Sequence, residues 1–559
     1  MTPPYLTKIT LKFNPHPQPG PHPNMQHSAL DSKSAWDESA PTLEVFRDSI
    51  LALLTIWLVY HLVRWYQSSP EPAADPPPSH PQHQFPAQPD PLILDSCTAH
   101  VTTAVAAMQQ HGVHPKRGFL PPRDPSTVLT NAQCEEWEWI GTTLPDLLSA
   151  GQCRQVLRTM KLIDWQCVGN SRAQQRRAFL LLSAMANAYL WCEPDNIVDV
   201  IPSNIAVPLC GIAQALGIQP ALVHASIVLA NWRRLDPKGP VTTDNITTLV
   251  DILGGRDEKW FFLLTVEIEY VGAPALLPCL LVTSAANAMG DLIARLDPTV
   301  PESTHDTSSV YDLTLAAWMA YVCSLLSRME SAIENMTTSF SKMKQKCDPY
   351  IFYHRVRPFL SGTKGNPTIP RGVVYEGVYN NERQQCSGGS AAQSTLLPIF
   401  DSALGIKHES SSSSEFIKEM REYMPKEHRA FIMYLHDRMK RADRQEGKEV
   451  GRGGGGGLAG VLRVLERLPP GYLKRERKDF IQHYNSCIAA LTRFRNTHME
   501  MVKVYIIAEQ RKAAIVAAKE KGEKTLGDAA GGKGTGGTGI MSFLKPVRNR
   551  TRERHQEKN

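Results

Sequence analysis

Between residues 93 and about 516 apolar side chains recur at three- and four-residue spacing, and almost nowhere at the alternating spacing of a strand. The stretches "LLLSAMANAYLW" and "TLAAWMAYVCSLLSRMESAIENM" hold that period over many turns, which is the mark of helices with a buried stripe. Breaks fall where proline and glycine cluster, as in "LPDLLSAGQ", "LDPKGP" and "LDPTVPEST". Only "GVVYEGV" reads as a short strand. The fold class this predicts is all-α.

At 559 residues, 42% apolar and 21% charged, the chain has enough hydrophobic material for more than one core. The net charge is +6, and much of it sits in the terminal stretch "KPVRNRTRERHQEKN". Such a tail reads as solvated, and no nucleic-acid partner is expected. Eleven cysteines occur without a C-x-x-C pair. They read as reduced thiols in a cytoplasmic setting, not as a disulfide framework or a thiolate metal site.

The ends are organised differently. Residues 1–44, with "PHPQPGPHP", lack apolar periodicity and read as a disordered tail. Residues 45–67 contain an apolar run, "ILALLTIWLVYHLV", followed by Arg64, Trp65 and Tyr66. The run is shorter than the about 20 residues that cross a bilayer straight. It reads as a transmembrane or interfacial anchor, with an amphipathic docking helix as the alternative. Residues 68–92 are a proline-rich linker, extended because proline breaks both helix and sheet. A glycine-rich insertion covers 441–460, and 519–559 reads as a mobile glycine-rich loop followed by a basic segment.

Signatures of common catalysis are missing: there is no G-x-S-x-G elbow, H-E-x-x-H pair or Walker loop. "GTGGTG" at 534–539 has no preceding strand and is no nucleotide fingerprint. The informative feature is a histidine inside an apolar helix. In "CIAALTRFRNTHMEMVKVYIIAEQ", Leu491, Phe494, His498, Met501 or Val502, and Tyr505 share one face, so His498 points inward. Two readings stay open: a core histidine bonded to a neighbour, or an axial haem ligand whose second nitrogen donates to a nearby acceptor.

Taken in order, several segments resemble the indoleamine 2,3-dioxygenase family. They are "RDPSTVL", "IPSNIAVPLCGIAQALGIQPALVHASIVLANW", "DEKWFFLLTVEIE", "FYHRVRPFLSGTKGNP", "VVYEG", "GGSAAQS", "FDSALGI", "MREYMPKEHRAF", "FRNTHMEMVKVYI" and "KGTGGTGIMSFLKPVR". The resemblance implies a small helical domain (93–240) packed on a larger one (241–518), with one haem b between them. It implies His498 as the iron ligand, Asp401 and Arg495 as a pair steadying that side and a haem propionate, and Ser390 on a haem-edge loop. For the substrate it implies Phe261 and Phe352 on either side of the indole, Arg357 on the carboxylate, Gly389 and Ala391 facing the ligand, and Thr535 on a closing loop.

The chain departs from the family pattern in the pocket. Thr265 stands where several relatives have serine, His224 where tyrosine is common, and Ile227 where a smaller residue is usual. The activity implied is the insertion of both atoms of O2 across the indole C2–C3 bond of L-tryptophan or a related indoleamine. The product would be N-formyl-L-kynurenine, the first step of the kynurenine route toward NAD, with an electron donor keeping iron ferrous. The departures point to an alternative: a haem-binding relative with weak tryptophan turnover, acting as a sensor or on another indole.

Overall fold

The computed structural model describes residues 91–295, 305–408, 412–445, 471–520 and 540–555, with Leu458, Val461, Leu462 and Leu465 between them. The tail, the apolar segment 45–67, the linker as far as residue 90, most of the glycine-rich insertion and the loop carrying Thr535 lie outside the described residues. In chain order the long helices are α1 (Pro91–Gln110), α2 (Arg172–Trp191), α3 (Ser203–Leu216), α4 (Arg256–Gly272), α5 (Leu276–Arg295) and α6 (His305–Ser341). They continue as α7 (Leu396–Ala403), α8 (Ser412–Arg421), α9 (Lys426–Gln445), α10 (Lys474–Val502), α11 (Ala508–Glu520) and α12 (Ile540–Arg552).

The described strands are β1 (Val200–Ile201), β2 (Arg233–Arg234), β3 (Ile246–Thr247), β4 (Val373–Tyr375) and β5 (Arg383–Gln384). β4, the strand expected from "GVVYEGV", pairs parallel with β1 and antiparallel with β5. β2 and β3 form a separate antiparallel pair. These ladders are too short to build a core, so the fold is all-α.

The helical period sets the packing. On α6, Leu315, Met319, Val322, Leu326, Met329, Ile333 and Met336 alternate by four and three residues, and every one is buried. That stripe packs against α4, α5 and α10. α10 answers with Phe480, Tyr484, Ile488, Leu491 and Phe494 on one face. Each such side chain taken out of water stabilises the fold by about 1.5–3 kcal/mol. α2 is buried all round from Ala178 to Trp191 and packs on α3, as expected of a helix that is apolar on every side.

The basic C-terminal stretch is not simply a solvated tail. Residues 540–552 form α12, which packs on α10 and α8. Phe543, Val547 and Thr551 recur every four residues and face inward, with Phe543 stacked edge-on against Phe416 at 4.8 Å. Lys545, Arg550 and Arg552 point to solvent and hide this stripe from a composition-based reading. The cysteines from Cys134 to Cys487 are free thiols.

Candidate functional site

A cavity of about 1210 Å³ lies inside this helical unit, larger than the roughly 300–1,000 Å³ usual for a small-molecule site. Its walls come from α4, α6, α7, α8, α10 and α12 and from π-helical turns at Ala225–Leu229, Phe352–Val356 and Lys503–Ile507. Such turns are wider than α-helix and concentrate at functional sites. Here each contributes lining residues, including Ile227, Phe352 and Tyr505. Every described residue singled out by sequence meets at this cavity: His224, Ile227, Phe261, Thr265, Phe352, Arg357, Gly389, Ser390, Ala391, Asp401, Arg495 and His498.

α10 carries His498 one turn beyond Phe494 and Arg495, with the Phe340 ring 5.8 Å from the imidazole. The imidazole is half-buried and opens into the cavity. Burial, with the nearby Arg495 charge adding to it, pulls its pKa down to about 4. It is therefore neutral at physiological pH. The acceptor expected for its second ring nitrogen is not among the described residues, where no group hydrogen-bonds either nitrogen.

Asp401, from α7, accepts bonds from Arg495 Nη2 at both carboxylate oxygens, each at 2.7 Å, and from His408 Nε2 at 2.8 Å. Burial alone would raise its pKa, but the Arg495 charge and His408 outweigh this and hold the carboxyl below the ordinary range. Arg495 also donates through Nη1 to the Thr551 hydroxyl of α12. The expected Asp401–Arg495 pair is thus locked between three helices, beside His498 in sequence.

On α4, Phe261, Thr265 and Glu269 follow one another at four-residue spacing along the cavity face. The Phe261 and Phe352 rings are 4.8 Å apart at 48° and touch. A flat ring between them would need about 7 Å, twice the carbon contact distance. They form one aromatic wall of the cavity. Arg357 lies just past the π turn, its guanidinium 5.4 Å over the Tyr353 ring, and burial lowers its pKa. Thr265 spends its hydroxyl on the Phe261 carbonyl at 2.8 Å and presents its methyl group elsewhere.

His224 is 4% exposed and its Nε2 lies 3.0 Å from Glu269 Oε1, which also accepts from Ser394 at 2.5 Å. The other Glu269 oxygen is closed in without a partner. Gln393, which the sequence reading did not single out, ties this region together. Its amide oxygen accepts from the His224 backbone and its nitrogen donates to the Gly388 carbonyl. Ser390 caps the following turn through a bond from the Ala392 amide. Gly388 serves backbone packing more than ligand approach, since a Cβ there would sit 2.2 Å from the Leu360 carbonyl oxygen.

Sequence reasoning also missed Phe340 and Met336 of α6, Phe416 and Arg421 of α8, and Phe543, Leu544, Val547 and Arg554 at the C-terminus, all of which line the cavity. Those on α6 carried no signal beyond ordinary core periodicity. The C-terminal ones did: Phe543 and Val547 are four apart within the basic stretch.

Residues 107–554 match the family model described as Indoleamine 2,3-dioxygenase. The chain is 33% identical to indoleamine 2,3-dioxygenase 2 of Homo sapiens over 459 residues, covering 81% of this chain and 97% of that protein. It is 32% identical to indoleamine 2,3-dioxygenase 1 of Rattus norvegicus over 423 residues, 75% of this chain and 88% of the relative. With the indoleamine 2,3-dioxygenase of Saccharomyces cerevisiae it shares 30% identity over 479 residues, 79% and 92% of the two chains. On a family match over most of its length and relatives at 30% identity or more covered nearly end to end, the chain belongs to the indoleamine 2,3-dioxygenases, haem-dependent oxidoreductases of the dioxygenase class.

Proposed function

We propose that this enzyme inserts both atoms of O2 across the indole C2–C3 bond of L-tryptophan, giving N-formyl-L-kynurenine, with one haem b per chain held at His498. The observation that carries the reading is a neutral imidazole, with no hydrogen-bond partner among the described residues, opening into a cavity that Arg357 also lines. Among the described residues no cluster of three or more His, Cys, Asp or Glu could hold a metal ion unaided. A metal at His498 therefore needs its other ligands from a macrocycle. The cavity volume, its apolar walls and its surplus of basic groups fit a porphyrin bearing two carboxylates.

When bound, haem would supply the iron chemistry that lets O2 react with a closed-shell indole. The protein's own part is ligation, orientation and a dry pocket. Asp401 and Arg495 fix the turn of α10 next to His498. Phe261 and Phe352 offer a stacking wall, and the Arg357 fork suits bidentate capture of the amino-acid carboxylate. Holding both ends of the substrate sets the indole edge in place, and such positioning supplies much of the rate in a two-substrate reaction. Ile227, Gly389 and Ala391 would then bound the ring, with Ser390 at the haem edge. Thr535 would close the amino-acid end, and an external electron donor would keep the iron ferrous.

The test is an optical spectrum and a product assay on wild type and His498→Ala. Wild type is expected to give a Soret band and O2-dependent N-formyl-L-kynurenine, and the variant neither. A variant that takes up haem and turns over like wild type would sink the reading. A second reading, an enzyme acting on another indole with weak tryptophan turnover, draws on the buried His224–Glu269 pair, which is ill suited to a bare hydrocarbon edge. Catalytic efficiency near zero on L-tryptophan with haem intact would favour it.

A further inference from the structure

Basic side chains outnumber acidic ones in the lining of the cavity. Six Lys or Arg side chains line it (Arg357, Lys407, Lys418, Arg421, Arg495 and Arg554) against two carboxylates, Glu269 and Asp401. Asp401 is taken up by Arg495 and His408, and Glu269 by His224 and Ser394. Arg357 has been assigned above to the substrate.

Arg421 is the exceptional member of the remainder. It is the last residue of α8, half-buried in the cavity wall, and burial already depresses its pKa. No described residue bonds or ion-pairs its guanidinium, and its Nε is shut away from water with no acceptor. A cation in that position is costly unless an anion joins it. The surroundings are built, not fluid. The neighbouring Met420 sulfur accepts from the Gln393 amide at 3.9 Å, which anchors α8 beside the Ser390–Ala391 turn. Phe416 locks the other end of α8 onto α12. Lys418 lies one turn before Arg421, and Arg554 follows α12; both line the same cavity, and neither ion-pairs with a described carboxylate.

We infer that Arg421, supported by Lys418 and Arg554, is a carboxylate clamp that takes the propionate edge of the cofactor. This rests on the haem reading above. The propionates are the charged groups of haem, and a guanidinium fork matches a carboxylate with two parallel bonds. With Asp401 and Thr551 satisfied, Arg495 has only its Nε and one Nη1 proton left, enough for one propionate, so the second needs another cation. α8 and α12 are then parts of the cofactor site, and not packing accessories.

The experiment is haem transfer from the full-length holoenzyme to excess apomyoglobin, followed at the Soret band, for wild type, Arg421→Met and Arg421→Lys. Each protein is loaded in parallel with haem and with haem dimethyl ester, whose carboxylates are blocked. Arg421→Met is expected to release haem roughly tenfold faster than wild type, with Arg421→Lys in between. With the dimethyl ester the three proteins are expected to release at one rate. Equal release of ordinary haem from wild type and Arg421→Met would overturn the clamp and leave the haem reading standing. A faster release that persists with the dimethyl ester would overturn it too, since the defect would then be one of packing. A wild type that takes up neither porphyrin would instead overturn the haem reading itself.

Discussion

At the scale of single residues, Arg357 and His428 show how one physical term, burial of charge, has opposite uses. Arg357 keeps its charge in a partly desolvated wall, where a carboxylate would relieve it. Arg357→Met is expected to lower kcat/KM for L-tryptophan by roughly 30-fold or more, chiefly through KM. Tryptamine, which lacks the carboxylate, should show little change, and an equal loss on both substrates would remove Arg357 from this role. His428 is the reverse case: enclosed against Phe119 at 4.9 Å, its pKa falls to about 3 through burial, with the Arg176 and His224 charges adding. An unfolded histidine titrates near 6.5, so between about pH 6.5 and pH 3 the unfolded chain binds a proton that the folded chain refuses. Stability contributed by this site is therefore complete above pH 6.5 and declines as pH falls toward 3. Urea midpoints should drop between pH 7 and pH 5, and His428→Phe should flatten that slope; an unchanged slope would assign the acid sensitivity elsewhere.

At the scale of elements, the regular helices were legible from the chain because their cause is local. The four-three alternation from Leu315 to Met336 needs no partner to be seen, and the same spacing turns His498 toward the apolar face of α10. What stayed hidden has non-local causes. The π turns at Ala225–Leu229, Phe352–Val356 and Lys503–Ile507 differ from α-helix by one residue in register, and their composition gives no sign of it. The contact of Phe261 with Phe352 joins segments some ninety residues apart, so the two rings could be named from the family pattern but not their mutual distance. α12 was misjudged because its charges outvoted a three-residue stripe. The stripe is testable: Phe543→Ala should cost about 1–2 kcal/mol, the worth of a half-buried aromatic pair, read as a lower urea midpoint. A solvated tail would give no change.

At the scale of the whole molecule, chain contacts divide at Phe85 and Pro86, and all that is described belongs to the second unit, Pro86–Asn559. Among the described residues the cavity lining begins at His224, and the buried helices that enclose it lie within this unit. The catalytic unit thus has its own core and its own site. Residues 45–66 carry a separate argument, which is a proposal of membrane tethering with the catalytic unit on the cytoplasmic side. As a helix the 14-residue, mostly apolar run Ile50–Val63 would reach only about 21 Å, short of the about 30 Å hydrocarbon core. The full 45–66 stretch would reach about 33 Å, with Arg47 and Trp65 near the two interfaces, where snorkelling and aromatic anchoring are favourable. A chain beginning at residue 86 is expected to match the full chain in haem titration and urea midpoint. Only the full chain is expected to sediment with phosphatidylcholine vesicles, and to stay with them in 1 M salt, roughly where a Debye length of about 3 Å has erased attraction by the basic C-terminus. Vesicle binding by both chains, or release of the full chain by salt, would make the association electrostatic and end the case for an inserted segment.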